Sequence, residues 1–255
     1  MPGMSDLTYD LSLLEESRAK WNRSPAVRGY YRDVFEEMMS YTSSGDSLDL
    51  GSGIGTIKDF FPEVVTSDIQ ATPFVDRAVS CYRIQDTGRL WSNLTAMDVL
   101  HHLRYPRAFF ESAASVLAPG GRMILSEPAA TLLGKAFYTI CHHEPIAPIG
   151  LAPPFAFDPN QPGGEFANMG MGMALFRRYY VDWEPIIRDL GFTLVDIRYR
   201  DCIAYPLTGG FSKPQLAPRW LIDRLLGLEK LVPQAVMRLI ALRMIIVLER
   251  VDADA

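Results

Sequence analysis

A glycine-rich segment near the first fifth of the chain has the residue types and spacing of a ligand-binding loop. It runs Asp49-Leu50-Gly51-Ser52-Gly53-Ile54-Gly55 and follows a short apolar stretch. Glycine has no Cβ and tolerates positive φ, so a strand that ends in such a turn lets its backbone approach a ligand closely. Asp68 follows at the end of a second apolar run, where a carboxylate can accept hydrogen bonds from both hydroxyls of a ribose. Together they predict a nucleoside-binding crevice at the carboxyl ends of two adjacent strands.

The spacing of the glycines distinguishes between the known nucleotide-binding loops. The dinucleotide fingerprint has glycines at the first, third and sixth places, and counting from Gly51 the sixth place is Thr56. A Walker loop ends in Gly-Lys-Ser/Thr, which Lys58-Asp59 does not supply. The form that remains is Asp-x-Gly-x-Gly-x-Gly, and it disfavours a nicotinamide-dependent oxidoreductase.

The composition is that of an ordinary globular protein. The 255 residues are 48% hydrophobic and 22% charged, which suits one large α/β domain or such a core with a sizeable insertion. A net charge of −5 argues against a general affinity for nucleic acid. The three cysteines are scattered without a metal-type pair, and no secretory signal or membrane-spanning run is visible. We therefore expect a cytoplasmic protein with no membrane span.

Apolar periodicity predicts the elements that must position the loop. A helix is expected to begin at Ser24-Pro25, with serine as the N-cap and proline in the first turn. Alternating strands and helices then follow, which is typical of an α/β fold with a doubly wound, mostly parallel sheet. The expected strands are about 47–50, 63–67, 94–97, 122–126, 192–198 and 243–250, and the expected helical segments are near 57–61, 109–117 and 177–190.

We expect a single domain over residues 1–255, divided into four parts. These are an N-terminal helical cap at 1–45, a cofactor-binding core at 46–128, a substrate or lid insertion at 129–178 and an amphipathic helical insertion at 201–241. The last part is predicted to hold two helices separated near Pro233. Its mildly basic, amphipathic surface either rests on a membrane and admits a lipid-linked substrate, or packs on its own domain or in a dimer, which is the favoured interpretation.

With these elements in place, the chain resembles the class I S-adenosylmethionine-dependent methyltransferases, in particular the small-molecule type called methyltransferase type 11. The resemblance covers about 47–128 and rests on DLGSGIG, on Ser67-Asp68, on MDVLHHL at 97–103 and on VLAPGGRMILSEP at 116–128. The wider chain is similar to a bacterial subgroup with a His-His-Glu-Pro element, here 142–145, and a Tyr-Pro-Leu-x-Gly-Gly-Phe element, here 205–211. The resemblance implies a seven-stranded Rossmann-like sheet with S-adenosylmethionine as cofactor. The predicted insertions then lie after strand five and between the last two strands.

The resemblance also implies roles for residues at the cofactor. The glycines would border the methionine and ribose part, and Asp68 would accept from both ribose hydroxyls. Family members commonly carry an acidic residue near position 80 for the adenine amino group, whereas this chain has Ser80-Cys81. A neutral acceptor makes the weaker hydrogen bond, so a catalytically silent cofactor- or partner-binding protein is the alternative hypothesis. The implied cofactor-binding set is Asp49, Gly51, Ser52, Gly53, Gly55, Asp68, Ile69, Ser80, Cys81, Asp98 and Val99.

The candidate catalytic residues follow the later strands. His101 and His102 come after strand four, and a histidine with a pKa of roughly 6.5 can act as general base at neutral pH or can be a structural group. His143 is expected to contact substrate or a closing lid, and no metal is expected because adjacent histidines point to different sides. Glu127 either orients substrate or caps the following segment. The expected acceptor is an oxygen atom of a small molecule or of a glycan or lipid precursor, and the expected assembly is a monomer or homodimer.

Overall fold

The computed structural model describes residues 11–141, 146 and 166–251. Seven strands in this part of the chain form one sheet: β1 Ser47–Leu50, β2 Val65–Asp68, β3 Arg77–Ala78, β4 Trp91–Met97, β5 Leu117–Pro128, β6 Phe192–Arg200 and β7 Arg243–Arg250. Their order across the sheet is β3-β2-β1-β4-β5-β7-β6.

The sheet is parallel except at β7. Strands β1 to β5 pair in parallel, whereas β7 is antiparallel to both β5 and β6. The first residue of β7, Arg243, lies opposite Pro128, the last residue of β5. The start of β7 therefore lies at the same edge as the carboxyl ends of the parallel strands, which is the edge where open α/β sheets bind ligands. The predicted doubly wound, mostly parallel sheet is confirmed.

Helices flank the sheet in the described residues. They are α1 Leu11–Arg23, α2 Pro25–Met39, α3 Pro106–Ala114, α4 Leu132–Cys141, α5 Met171–Met173, α6 Tyr180–Asp189, α7 Ala204–Thr208, α8 Arg219–Glu229 and α9 Gln234–Ile240. Short 3-10 turns occupy Thr56–Asp59, Ile84–Thr87 and Leu100–His102, and a π-helical turn, Ala174–Arg178, continues α5. None of these helices combines the length and the apolar character needed to cross a bilayer.

The core lies on both faces of the sheet. Along β7, Met244, Ile246 and Leu248 belong to one apolar cluster, and Ile245 and Val247 belong to the other. Because successive strand residues point to opposite faces, this alternation places α3 and α6 on one side and α1, α2 and α8 on the other. Burial on both faces explains why β7 has a continuous apolar run instead of an alternating one.

The helix that precedes β1 begins as the sequence predicts. The Ser24 hydroxyl accepts a hydrogen bond from the Val27 backbone N–H at 3.5 Å, and Pro25 is the first residue of α2. Serine satisfies one backbone donor that the first turn leaves open, and proline has no donor to satisfy. Both helices predicted on either side of Pro233 are present as α8 and α9.

Several boundaries differ from the predictions. The helix predicted to extend to Leu117 ends at Ala114, and Leu117 already begins β5. Strand β5 therefore includes the Pro119-Gly120-Gly121 turn, and a register shift in its pairing with β4 accommodates it. Strand β3 has only two residues, too few for a periodic signal, and the sequence did not predict it. Strand β2 ends at Asp68, one residue later than predicted, so this carboxylate belongs to the strand end itself.

Candidate active site

The loop after β1 is fastened to the end of β2. The Ser52 backbone N–H donates to the Ser67 carbonyl at 2.8 Å, and the Ser67 hydroxyl donates to the Asp49 carbonyl at 2.9 Å. Within the loop, the Gly55 N–H donates to the Ser52 carbonyl at 2.8 Å. The loop is therefore a fixed turn, and its three glycines all have positive φ, between 54° and 65°.

Two of these glycines have different surroundings. A Cβ at Gly55 would lie 2.1 Å from the Phe74 carbonyl oxygen, so the fold itself excludes a side chain there. A Cβ at Gly53 would meet nothing within 4 Å. The backbone at Gly53 therefore faces open space, as a surface that receives a ligand must.

Asp68 lies at the edge of this open space. Its carboxylate accepts hydrogen bonds from the Gly53 N–H at 2.8 Å and from the Ile69 N–H at 2.7 Å. Burial raises the pKa of Asp68, and the backbone hydrogen bonds only partly oppose that rise. The Gln70 backbone N–H also donates to this carboxylate. Because the two carboxylate oxygens can accept four hydrogen bonds between them, acceptor capacity remains beyond these three donors. The open glycine and the carboxylate fit a ribose with two adjacent hydroxyls.

Asp49 lies beneath the loop. It accepts hydrogen bonds from the Ser52 hydroxyl at 2.6 Å and from the Thr95 hydroxyl at 2.7 Å, and it is buried. The pKa of Asp49 is raised to about 6, mainly because the carboxylate is buried. The hydrogen bonds from the two hydroxyls lower this pKa, and the charge of Asp68 raises it further. Asp49 thus ties the loop to β4 and lies close enough to Asp68 to be affected by its charge.

Ser80 and Cys81, which the resemblance assigns to an adenine contact, follow β3. The Ser80 hydroxyl accepts from the Tyr82 backbone N–H at 3.2 Å. Burial, then the nearby charges of Asp68 and Asp49, raise the pKa of the Cys81 thiol to about 12. The thiol is therefore protonated at neutral pH and is poorly suited to act as a nucleophile.

Asp98, at the end of β4, is held by a cation that the sequence analysis did not assign to the site. Arg243 Nη1 and Nη2 bind its two carboxylate oxygens at 2.7 and 2.9 Å. Burial alone would raise the pKa of Asp98, but the Arg243 guanidinium, together with smaller effects of His101 and His102, lowers that pKa overall. The following residue, Val99, is buried against the loop, and its side chain lies where a Cβ on Gly51 would be.

Arg243 extends this contact into a buried network. Its Nε lies 3.3 Å from the Tyr30 hydroxyl, which donates to Asp201 at 2.5 Å, and Asp201 also accepts from Arg200 at 3.0 Å. Among the described residues, the two non-glycine positions with positive φ are Asp98 and Asp201, at 57° and 61°. Both are members of the network, which therefore holds the backbone in a conformation that costs energy. One feature of the sequence could have pointed to this network. Arg243 is a cation inside the otherwise apolar run 239–248, which indicates a buried charge that needs a partner.

The Tyr205–Phe211 element packs beside this network. The Tyr205 ring lies 4.8 Å from the Tyr30 ring, and the Phe211 ring lies 5.6 Å from the Tyr31 ring. Asp98 and Arg243 both act electrostatically on Tyr205, although burial is the main cause of its raised pKa. This element of the sequence therefore packs against the tyrosine rings of α2 beside the network.

The histidines after β4 differ in exposure. His101 is buried, and its Nδ1 lies 2.7 Å from a carboxylate oxygen of Glu127, while His102 is exposed with its ring centre 4.2 Å from that of His101. The fully buried Glu127 also accepts hydrogen bonds from the backbone N–H groups of Val99, Leu100 and His101, at 3.0, 2.8 and 3.2 Å. Glu127 therefore caps the turn after β4 and orients the buried histidine. The predicted cap was of the segment that follows Glu127, whereas the observed cap is of the turn after β4. The predicted role in orienting substrate stays a prediction.

The remaining catalytic candidate, His143, lies outside the described residues, as do His142 and Glu144. Among residues 11–141, 146 and 166–251, no group of three or more histidine, cysteine, aspartate or glutamate side chains is placed to hold a metal ion.

Known proteins were compared with this chain by family, by sequence and by structure. A family described as a methyltransferase domain matches residues 22–168, which is more than half of the chain. A search of curated proteins found no match. Among solved structures, a SAM-dependent methyltransferase from Archaeoglobus fulgidus is 12% identical, with 87% of this chain and 94% of that chain covered and a TM-score of 0.50. The CcbJ methyltransferase from Streptomyces caelestis is 10% identical, with 87% and 89% covered and a TM-score of 0.45.

These findings define a class of protein. The seven-stranded sheet with one antiparallel strand, the glycine loop and the strand-end carboxylate are the Rossmann-like architecture of a class I methyltransferase. The chain belongs to the methyltransferase domain family. It is an enzyme of the S-adenosylmethionine-dependent class, and S-adenosylmethionine is the methyl donor of that class.

Proposed function

We propose that this methyltransferase transfers a methyl group to a hydroxyl oxygen of a small molecule or of a glycan or lipid precursor, with His102 as general base. The observation that carries the proposal is the pair of histidines after β4. One is buried and oriented by a carboxylate at 2.7 Å, and the other is exposed directly beside it. An oxygen acceptor must lose its proton, and an exposed imidazole at this edge can take that proton near neutral pH.

The cofactor is proposed to lie along the loop after β1. Asp68 would accept hydrogen bonds from the ribose hydroxyls, with Ile69 against the adenine, and the open backbone at Gly53 would admit the sugar. Asp49 would hold the loop in place from below, and Asp98 would lie at the methionine end. S-adenosylmethionine supplies an electrophilic methyl group on a sulfonium, so the protein needs to align the acceptor and take its proton.

The residues at the end of β4 divide this work. Glu127 fixes the turn and the His101 ring, which makes it a positioning residue, because its carboxylate is buried and its hydrogen bonds are to this turn. His102 would take the acceptor proton on a ring nitrogen. Alignment contributes up to roughly 7–11 kcal/mol in favourable cases and a positioned base about 10²–10⁴-fold, so alignment of the acceptor is expected to be the larger contribution.

The test is a cofactor-consumption screen over alcohol, amine and thiol acceptors, followed by two alanine variants. His102→Ala is expected to lower kcat on the best hydroxyl acceptor by about 10²-fold, with unchanged affinity for S-adenosylhomocysteine. His101→Ala tests the adjacent ring, and it is expected to lower kcat less, since this ring acts through the position of the turn. Turnover that survives both substitutions together would remove the proposed base. Binding of S-adenosylhomocysteine without turnover of any acceptor class would favour the alternative, a catalytically silent cofactor-binding protein.

A further inference from the structure

One carboxylate next to the glycine loop is held by three side chains of the N-terminal helices. Asp59 is the last residue of the 3-10 turn Thr56–Asp59, which follows the loop directly. Its Oδ1 accepts a hydrogen bond from Arg18 Nη2 at 2.9 Å, and its Oδ2 accepts one from Trp21 Nε1 at 2.7 Å. Arg28 Nη2 lies 3.9 Å from the same Oδ2. We call Arg18, Trp21, Arg28 and Asp59 the Asp59 clamp.

The clamp extends onto the loop itself through Arg18. The other terminal nitrogen of its guanidinium, Nη1, donates to the Ile54 carbonyl at 3.3 Å. Ile54 lies between Gly53, whose backbone faces open space, and Gly55, which the fold confines. One arginine of α1 therefore binds both a loop carbonyl and the carboxylate that follows the loop. From the side of β2, Asp68 binds the same loop through the Gly53 N–H.

The groups of the clamp are held in place by their surroundings. The Trp21 side chain is fully buried, and its ring makes edge contacts with Tyr31 and Phe60 at centre distances of 5.7 and 5.9 Å. Burial alone would raise the pKa of Asp59, but the hydrogen bonds from Trp21 and Arg18, with the charges of the two arginines, lower it overall. Asp59 is therefore ionised at neutral pH and can bind both guanidinium groups through charge-assisted contacts.

The position of the clamp suits a role in ligand binding more than a role in overall stability. The side chains of Arg18 and Asp59 are 27% and 20% exposed, and ion pairs that water reaches add little to the stability of a fold. The loop beside them has three glycines at positive φ, and glycine loses more conformational freedom on ordering than other residues do. A contact that fixes such a loop before the ligand arrives lowers the ordering cost of binding.

We propose that Arg18 is a positioning residue for S-adenosylmethionine. It acts through Asp59 and the Ile54 carbonyl, which together hold the glycine loop in its ligand-binding conformation. This role rests on the proposed placement of the cofactor along the loop. Because Arg18 lies on α1, the clamp also couples that helix to the cofactor. Local opening of α1 breaks the clamp and weakens binding, and bound cofactor opposes the opening by the same factor.

The first test is titration calorimetry of S-adenosylhomocysteine with Arg18→Met and with Asp59→Asn. Each variant is expected to bind about tenfold more weakly than the unaltered protein, since each loses hydrogen bonds to a charged group. The double variant is expected to lose little more than either single variant, because the two residues act as a unit. The matched controls, Arg107→Met and Glu111→Gln, break an ion pair of α3 that has the same 2.9 Å separation. Both controls are expected to bind like the unaltered protein.

The second test is amide hydrogen exchange in α1, which a merely structural role of Arg18 would not link to the ligand. By reciprocity, saturating S-adenosylhomocysteine is expected to slow exchange in Leu11–Arg23 of the unaltered protein by about tenfold. This slowing is expected to be lost in Arg18→Met and to persist in Arg107→Met.

The outcomes separate the clamp from the placement of the cofactor, with Asp68→Asn as the reference for the proposed ribose contact. Weaker binding in Asp68→Asn with unchanged binding in both clamp variants would overturn the clamp alone. Slowing of α1 exchange that persists in Arg18→Met, or equal losses in the clamp and α3 variants, would do the same. Unchanged binding in all of these variants, or no binding by the unaltered protein, would overturn the placement of the cofactor as well.

Discussion

Two regions at the carboxyl-end edge of the sheet are built in opposite ways. The glycine loop and the end of β2, residues 49–68, come from one stretch of chain and consist mainly of backbone groups and the carboxylate of Asp68. The arginine network, which we define as Tyr30, Asp98, Arg200, Asp201 and Arg243, brings α2, β4, β6 and β7 together through buried charges. The difference shows that a binding site can be encoded locally while the polar support beside it is encoded only by the fold.

The two regions should also respond differently to substitution. A neutral hydrogen bond contributes about 0.5–1.5 kcal/mol net, so the loop can lose one contact and remain folded. Removal of one partner from a buried charged network leaves the others uncompensated, at roughly 3–5 kcal/mol. We therefore expect the network to govern stability and the loop to govern affinity.

The largest expected effect is that of Arg243→Met. The change leaves Asp98, Tyr30 and Asp201 without their shared cation. The free energy of unfolding is expected to fall by about 3 kcal/mol. This is the lower end of the range for breaking a buried ion pair, because the Asp98 side chain is 33% exposed. Urea denaturation measures this directly. The matched control is Arg122→Met, which breaks an ion pair with Glu249 at the other end of the β5–β7 ladder, where the arginine side chain is 26% exposed against 7% for Arg243. It is expected to cost about 1 kcal/mol or less. Equal costs for the two would remove the network from its proposed role.

The next effect separates folding from binding inside the loop itself. Gly55→Ala places a Cβ 2.1 Å from the Phe74 carbonyl oxygen at a φ of +65°, so it is expected to lower the free energy of unfolding by about 2 kcal/mol or more. Gly53→Ala meets no protein atom within 4 Å, so its cost is expected to be only the roughly 1 kcal/mol of the left-handed backbone. In titration calorimetry, however, Gly53→Ala is expected to weaken S-adenosylhomocysteine binding about tenfold, because its methyl group enters the ligand's space. The reverse assignment, with Gly53 the costlier to folding, would contradict the geometry.

The smallest effect is the pH dependence that Asp49 gives to the loop. Its folded pKa, about 6, is above the ordinary value of 3.8, so its contribution to stability is fully present below about pH 4 and is lost as pH rises through 6. The positive charge of S-adenosylmethionine favours the ionised Asp49 carboxylate, whereas S-adenosylhomocysteine has no charge on its sulfur. The preference for S-adenosylmethionine over S-adenosylhomocysteine is therefore expected to fall about threefold between pH 7 and pH 5, as Asp49 becomes protonated. Calorimetry of both ligands at the two pH values checks this, with Asp49→Asn as the variant that should lose the dependence. A preference that is the same at both pH values would place Asp49 away from the charge of the ligand.

The sequence was sufficient where the signal is local. Glycine spacing, the carboxylate at the end of β2, the Ser24-Pro25 helix start and the break at Pro233 each depend on neighbouring residues, and the fold class follows from their alternation. The two helices on either side of Pro233, α8 and α9, could be predicted as well.

The sequence was insufficient where partners are distant. The contact of Arg243 with Asp98 spans 145 positions and that of Tyr30 with Asp201 spans 171, so no periodicity reports them. The capping of the turn after β4 by Glu127 depends on two strands being adjacent. Strand β3 exists because two residues pair with the end of β2, not because of their own propensity.

The central claim is that the open backbone at Gly53 and the carboxylate of Asp68 bind the ribose of S-adenosylmethionine. Titration calorimetry of S-adenosylhomocysteine with the unaltered protein and with Asp68→Asn tests it most directly, with Asp76→Asn, an acidic residue paired with Lys58, as the control. We predict micromolar binding by the unaltered protein and the control, and a loss of about tenfold or more in Asp68→Asn, since hydrogen bonds to a charged group contribute about 1.5–3 kcal/mol. Equal affinities in all three proteins would contradict the account.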